Sequence, residues 1–250
     1  MPRYFIEVAY NGKGYAGFQK QANANTIQAE VEKVLSIFFR TDFNLTGSSR
    51  TDAGVHAFQN FFHFDSELNL RMPEINKVMY HLNAMLPLDV VIKKIVEAPL
   101  DAHSRFDAIS RTYSYKVYQR KDPFVNEQAY YYPYSLDLDQ MNMAAKLLFN
   151  YSDYEAFSKR STQVHTFLCE IFESIWLEDQ DLLIYQVRAN RFLRGMVRGL
   201  VGTMLLVGRG KLSPDDFVDI ILSKDSSRVN FAVPAHGLTL IEVKYPSQDK

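Results

Sequence analysis

The sequence predicts an α/β protein made of two ferredoxin-like halves. The main observation is that signals for regular structure occur twice in the order strand, helix, strand, strand, helix, strand. The chain has 250 residues, of which 47% are hydrophobic and 23% charged, as is typical of a globular protein with a sizeable core. We expect the halves, residues 1–100 and 105–250, to form a mixed, mainly antiparallel sheet with a central cleft, a common place for a ligand.

The first half begins with a strand, because β-branched and aromatic residues at 4–10 are followed by the turn signal Asn11-Gly12. A helix follows, since Asn25 and Gln28 form a capping pair and hydrophobic residues then recur at helical spacing. The remaining predicted elements are a short strand near 43–48, a strand near 57–64, a helix from Pro73 and a strand near 89–97.

The second half repeats this order of elements without obvious sequence identity. A strand at 111–118 is followed by a helix that begins at the capping pair Asp137 and Gln140 and extends to about Phe149. The later predicted elements are strands near 167–178 and 182–189, a long helix near 191–208, a short helix from Ser213-Pro214 and a strand from Leu238 to Tyr245.

Composition excludes several classes of protein. The single Cys169 cannot form an internal disulfide or a Cys-rich zinc site, and the six histidines lack metal-binding spacing. The start of the chain lacks the apolar region of a signal peptide, and no apolar stretch is long enough to span a membrane. We therefore expect a cytoplasmic, soluble protein without a metal. Lys and Arg number 28 against 29 Asp and Glu, so any surface for a polyanion must be local.

The segment from Gly47 to Ala57 reads GSSRTDAGVHA and carries the strongest chemical signal. An Asp beside small residues and Gly usually marks only a turn, because Asp bonds its own backbone and Gly permits positive φ. Here Arg50 precedes Asp52 by two positions, and Gly54 would let a bulky ligand approach the backbone. A carboxylate on such a rigid turn is suited to act as a covalent nucleophile toward a sugar carbon.

The string RTDAGVHA resembles the signature of the tRNA pseudouridine synthase A family. Four further segments are similar to family motifs and occur in the same order along nearly the whole chain. They are Gly17–Gln21 with Thr26–Gln28, Arg105-Phe106 with Arg111–Tyr115, Phe192–Arg198, and Pro234–Leu238.

This resemblance implies an isomerase that converts uridine to pseudouridine in tRNA, at positions 38 to 40 of the anticodon stem-loop. It implies that Asp52 is the nucleophile, that Tyr113 stacks on the target base, and that Arg198 reaches Asp52. It also implies a homodimer that needs no cofactor. From its pattern alone, Tyr113 would instead be one more inward-facing aromatic residue of an alternating strand.

The sequence departs from the family pattern at three places. Phe18 stands where the family usually has Trp, Ser104 where Ala is usual, and Val233 where Ala is usual. Of these, we expect the change at Phe18 to alter contacts with the tRNA.

Basic residues are concentrated in one part of the second half, since residues 182–214 contain no Asp or Glu. On the predicted helix, Arg191, Arg194 and Arg198 would lie within about 60° of one another. They could form a row that contacts phosphates, or simply a solvated helix face. Near the signature segment, Gln19, Lys20 and Arg50 are further candidates for RNA contacts.

Two other functions remain open at this point. A module that binds tRNA without catalysis would have the same fold, although Asp52, Tyr113 and Arg198 are all present. A hydrolytic glycosidase would need a second carboxylate as general acid, and none is evident near Asp52 in the sequence.

Overall fold

A computed structural model describes residues 1–67, 74–159 and 166–246 and separates the chain into two units. The first unit contains Met1–Ile109 and Leu240–Lys250, and the second contains Ser110–Thr239. Both combine antiparallel strands with helices, which confirms the predicted α/β class.

The first unit has the predicted order of strands and helices. Its elements are β1 (Arg3–Tyr10), α1 (Ile27–Phe39), β2 (Thr46–Gly47), β3 (His56–Asp65), α2 (Glu74–Met85) and β4 (Val90–Ala98). Strand β1 lies between β4 and β3 and is antiparallel to both, while the very short β2 pairs with β3. A last strand, β9 (Leu238–Lys244), lies next to β3. Buried residues of α1, including Ile27, Val31 and Leu35, contribute to the core of this unit.

The second unit resembles the first but has an additional short strand and an additional helix, and most of the last predicted strand, β9, belongs to the first unit. Its elements are β5 (Ser110–Tyr118), β6 (Tyr130–Tyr131), α3 (Leu138–Leu147), β7 (Ile171–Asp179), β8 (Leu182–Ala189), α4 (Met196–Gly208) and α5 (Pro214–Ser223). Strand β8 is antiparallel to both β5 and β7, and β6 is parallel to β5. Helix α4 is buried almost all round, as expected for a helix that is apolar on most of its faces.

Four of the five predicted helix starts can be compared with the structure, and three of them involve a capping residue. Asp137 accepts a hydrogen bond from the Gln140 N–H, and α5 begins directly after Ser213, both as predicted. The structure adds that Ser213 forms a capping box with Asp216. The predicted cap at Asn25 is wrong: the side chain of Thr26 caps α1 by accepting from the Ala29 N–H. The predicted start at Pro73 lies outside the described residues.

The long helix of the second unit starts later than predicted. Residues 191–195 are not helical, because Gly195 adopts a φ of 75° as the residue before Met196. The Arg194 carbonyl is also engaged elsewhere, accepting a hydrogen bond from the Lys159 N–H at 3.0 Å. The predicted row of Arg191, Arg194 and Arg198 on one helix face therefore does not exist.

None of the helices in the described part of the chain has the length and hydrophobicity needed to cross a membrane.

The departure at Ser104 has a structural role in the first unit. This fully buried serine has its hydroxyl 3.0 Å from the Thr46 carbonyl and 2.8 Å from His63 Nδ1. The Ser104 N–H also lies 3.2 Å from His63 Nδ1, so the backbone and the side chain of Ser104 both contact this nitrogen. Burial, together with the positive charges of His103 and Arg3, lowers the pKa of His63 to about 4. His63 is thus neutral in the folded protein near pH 7.

This low pKa predicts a specific loss of stability in acid. The unfolded chain binds a proton at His63 near pH 6.5, whereas the folded protein does so only near pH 4. His63 therefore costs no stability above pH 6.5, and the free energy of unfolding falls by about 3 kcal/mol as the pH falls from 6.5 to 4. Thermal unfolding at several pH values should show a smaller acid loss for His63→Gln than for wild type. Equal losses in the two proteins would show that His63 is not the group responsible.

Candidate active site

Asp52 lies in the turn that connects β2 to β3. Its carbonyl accepts a hydrogen bond from the Val55 N–H at 3.2 Å, and Gly54 has a φ of 79°, which favours glycine. Thr51 and Val55 on either side are buried, while Asp52 itself is half-buried. The carboxylate therefore belongs to a turn whose flanks are fixed in the core.

The segment Gly12–Phe18, which we call the N-terminal clasp, holds this turn through three hydrogen bonds. The Phe18 N–H donates to the Thr51 carbonyl at 3.1 Å, and the Gly54 N–H donates to the Tyr15 carbonyl at 3.3 Å. In addition, the Gly12 N–H donates to His56 Nδ1 at 3.1 Å. Since these bonds act before, within and after the Asp52 turn, they restrain its whole length.

Two glycines allow the clasp to lie so close to the turn. A Cβ atom at Gly12 would be 2.0 Å from the Val55 carbonyl oxygen. At Gly17, where φ is 115°, a Cβ atom would be 3.1 Å from the Thr51 carbonyl oxygen. Both contacts are with backbone atoms, so a side chain at Gly12 would force the clasp and the turn apart.

Phe18 lies beneath the turn and not on the surface. Only 1% of the residue is exposed, and its ring stacks on Phe62 with centroids 4.5 Å apart. The same ring covers Gly47, where an added Cβ would lie 2.2 Å from it. This side chain is therefore part of the core, and any effect of Phe18 on contacts with tRNA would have to be indirect.

Gln19, Lys20 and Arg50 are exposed on the first unit. Gln19 follows Phe18 and Arg50 precedes Thr51, so the bond between Phe18 and Thr51 brings these two segments together.

Lys20 also has a structural partner, since its Nζ donates to Glu32 at 2.8 Å. Glu32 is only 4% exposed and also accepts from the Leu45 N–H and from Gln28 Nε2. The carboxylate of Glu32 raises the pKa of Lys20, which keeps this exposed ammonium charged.

In the second unit, Tyr113 lies on β5 opposite Val187 of β8. It is 8% exposed, and its ring meets the edge of Phe192 at a centroid distance of 5.1 Å and an interplanar angle of 88°. This edge-to-face contact fixes the orientation of the Tyr113 ring.

Arg198 lies in the first turn of α4 and is oriented by a backbone carbonyl. Its Nε and Nη2 both donate to the Val233 carbonyl, at 3.0 and 2.7 Å. The neighbouring Pro234 carbonyl accepts from the Tyr115 hydroxyl at 2.7 Å. A cation in the first turn opposes the helix dipole, so helix stability does not explain an arginine at this position.

Arg191 and Arg194 are placed differently from each other. Arg194 is exposed, whereas Arg191 is half-buried near Cys169. Burial raises the pKa of the Cys169 thiol to about 11, and the charge of Arg191 acts in the opposite direction. This thiol is therefore not a nucleophile near neutral pH. Across the described ranges, no group of three His, Cys, Asp or Glu side chains is arranged to hold a metal ion.

Comparisons with known proteins agree on one family. The model of a family described as tRNA pseudouridine synthase matches residues 6–107 and 144–246. A protein of Parabacteroides distasonis named tRNA pseudouridine synthase A is 45% identical over 248 residues, covering 99% of this chain and 98% of that protein. Proteins with the same name from Porphyromonas gingivalis and Bacteroides fragilis are 45% and 43% identical, over 99% and 98% of this chain and 98% and 97% of their own lengths.

The contact between the clasp and the turn predicts that alanine substitution will lower stability at one glycine of a short 3-10 helix and leave it almost unchanged at another. Gly12→Ala should lower the free energy of unfolding by about 2–3 kcal/mol, because its Cβ meets the Val55 backbone. Gly14→Ala is the matched control, since its Cβ would approach only Asp89, at 3.9 Å. We expect it to stay within about 1 kcal/mol of wild type. Urea unfolding measures both changes, and similar values for the two variants would contradict the close contact.

Proposed function

Because the chain belongs to the tRNA pseudouridine synthase family, we propose that Asp52 is the nucleophile with which it converts uridine to pseudouridine in tRNA. The observation that carries the function is the family match, which includes the Asp52 turn and the whole of α4. The clasp supports the role of Asp52, since a nucleophile is most effective when its position is fixed before the substrate binds.

The reaction is an isomerisation and is redox-neutral. The target uridine leaves its stack, at a cost of a few kcal/mol that contacts with the protein offset. In the direct route the Asp52 carboxylate bonds to C1′ as the bond between N1 and C1′ breaks; the uracil then turns, C5 bonds to C1′, and the carboxylate is released. N1 gains a proton and C5 loses one, so no cofactor is required. The carboxylate acts either by attack at C1′ or by way of a glycal intermediate.

Tyr113 and Arg198 serve the same reaction in our proposal. An aromatic ring that stacks on a base contributes about 1–3 kcal/mol and does not depend on the base sequence, which suits a uracil outside its helix. Tyr113 lies between the two segments matched by the family model, so its role depends on the RTYSY motif and on its fixed ring. Arg198, held by the Val233 carbonyl, supplies positive charge for the chemical step.

The finer parts of the proposal rest on the family resemblance. We propose uridines 38 to 40 of the anticodon stem-loop as targets, a homodimer as the active form, and the cytoplasm as the location. Gln19, Lys20, Arg50, Arg191 and Arg194 are the proposed RNA contacts.

One assay separates this proposal from the two alternatives. When tRNA carries tritium at C5 of uridine, an isomerase releases tritium without free uracil. A glycosidase would release free uracil, and a module that only binds RNA would release neither.

Asp52→Asn should abolish tritium release while tRNA affinity stays within a few-fold of wild type. The amide keeps the size of the side chain and one acceptor oxygen but is not a nucleophile. Gel-shift or filter-binding titrations provide the affinity. Turnover by this variant, purified free of wild-type enzyme, would show that Asp52 is not the nucleophile.

The arginines of the second unit should differ in how they affect binding and catalysis. If Arg191 and Arg194 contact phosphates, each Ala substitution should reduce the slope of log affinity against log salt by about 0.7–0.9. Arg198→Ala should mainly lower the catalytic rate, with a smaller change in slope. Unchanged slopes for Arg191→Ala and Arg194→Ala would assign both residues to solvent and favour Lys20 and Arg50 as RNA contacts.

A further inference from the structure

We propose that Tyr10 is a positioning residue for catalysis, acting through Thr51 on the adjacent Asp52, with Asn60 holding the Tyr10 hydroxyl in place. The inference rests on the proposed role of Asp52. It adds to the site Tyr10 and Asn60, which the sequence did not indicate, and gives a role to the side chain of Thr51 within the signature segment.

The proposal depends on a chain of buried hydrogen bonds behind the turn. The Tyr10 hydroxyl lies 2.8 Å from Thr51 Oγ1 and accepts from Asn60 Nδ2 at 3.1 Å. The same Asn60 amide donates to the Ser49 carbonyl at 2.9 Å. Tyr10, Thr51 and Asn60 are 5%, 7% and 0% exposed, so water does not compete for these bonds.

The strands are shaped to bring Tyr10 to this position. In the pairing of β1 with β3, Val8 lies opposite Asn60, whereas Tyr10 lies opposite Ala57. Two steps along β1 therefore correspond to three along β3, which defines a bulge. Bulges re-aim side chains and are frequent next to active sites. Here the irregularity lies between Asn60 and the point where β3 meets the Asp52 turn.

The protonation of Tyr10 suits the same role. Burial raises its pKa to about 12, so the phenol keeps its proton at neutral pH. Because Asn60 already donates to the phenol oxygen, the phenol proton is available to the Thr51 hydroxyl.

Thr51 is consequently held at two points. Its backbone carbonyl accepts from the clasp at Phe18, and its side chain contacts Tyr10. With both parts fixed, the residue that follows it has little freedom to rotate. Loss of the side-chain contact should loosen Asp52 without changing the surface that binds RNA.

The second unit offers a matched control. The Tyr185 hydroxyl lies 2.8 Å from Ser174 Oγ, Tyr185 is fully buried, and its pKa is also raised by burial. Tyr10→Phe and Tyr185→Phe each remove one buried hydroxyl that contacts another hydroxyl, and Tyr10→Phe also removes the acceptor of the Asn60 amide, so we expect both to lower thermal stability and Tyr10→Phe to lower it more. Only Tyr10 adjoins the Asp52 turn.

The test is single-turnover tritium release at saturating enzyme, with tRNA affinity measured in parallel. Tyr10→Phe should lower the rate by about tenfold or more, with affinity within twofold of wild type, because small displacements of a reacting group are costly. Tyr185→Phe should keep the wild-type rate. If both variants keep that rate, or if Tyr10→Phe changes only the affinity, the proposal is wrong.

A second pair of variants separates the hydroxyl contact from packing. Thr51→Ser keeps the hydroxyl and should retain more activity than Thr51→Val, which keeps the shape but loses the contact. Equal rates for the two would also overturn the proposal. Asp52→Asn, assayed alongside, distinguishes this failure from failure of the proposed function, because only its activity would exclude Asp52 as nucleophile.

Discussion

The backbone of the N-terminal clasp touches the backbone of the Asp52 turn, with no room for a side chain at Gly12. Much of the first unit's site follows from this contact. The clasp continues directly from β1, and the turn leads directly into β3, so the pairing of these strands sets where the two segments meet. Phe18 fills the space below, against Phe62 and Gly47. A turn without regular structure is thereby held in place by hydrogen bonds and close backbone contacts.

The second unit fixes its proposed catalytic groups by other means. Tyr113 is held by its strand and by the edge of Phe192, whereas Arg198 is held by a carbonyl from a distant part of the chain. A ring contact and a hydrogen bond to a carbonyl hold these two side chains, and neither requires an excess of positive charge in the protein. The net charge of the chain is −1. Affinity for a polyanion must then come from a limited number of local contacts.

Periodicity and capping signals predicted most elements, because they report local preferences. They were less successful where tertiary contacts decided the outcome. Asn25 and Thr26 are both good caps, and only the structure shows which side chain faces the helix. The apolar pattern of α4 extends back to residues 192 and 193. The helix nevertheless begins only at Met196, because Gly195 has a positive φ and the Arg194 carbonyl is bonded to the Lys159 N–H. Asp52 was found through its motif, whereas Tyr10 and Asn60 carry no local signal, since their partners are distant in sequence.

The anchor of Arg198 has a consequence for how this protein can change over generations. Its acceptor is a main-chain carbonyl, which every amino acid possesses, so position 233 can drift from Ala to Val without loss of the anchor. The Tyr10 and Thr51 pair has no such tolerance, because each partner contributes a side-chain hydroxyl. A substitution that removes either hydroxyl would break the contact. The Tyr10–Thr51 contact is thus more sensitive to substitution than the anchor of Arg198, which requires no particular side chain at position 233.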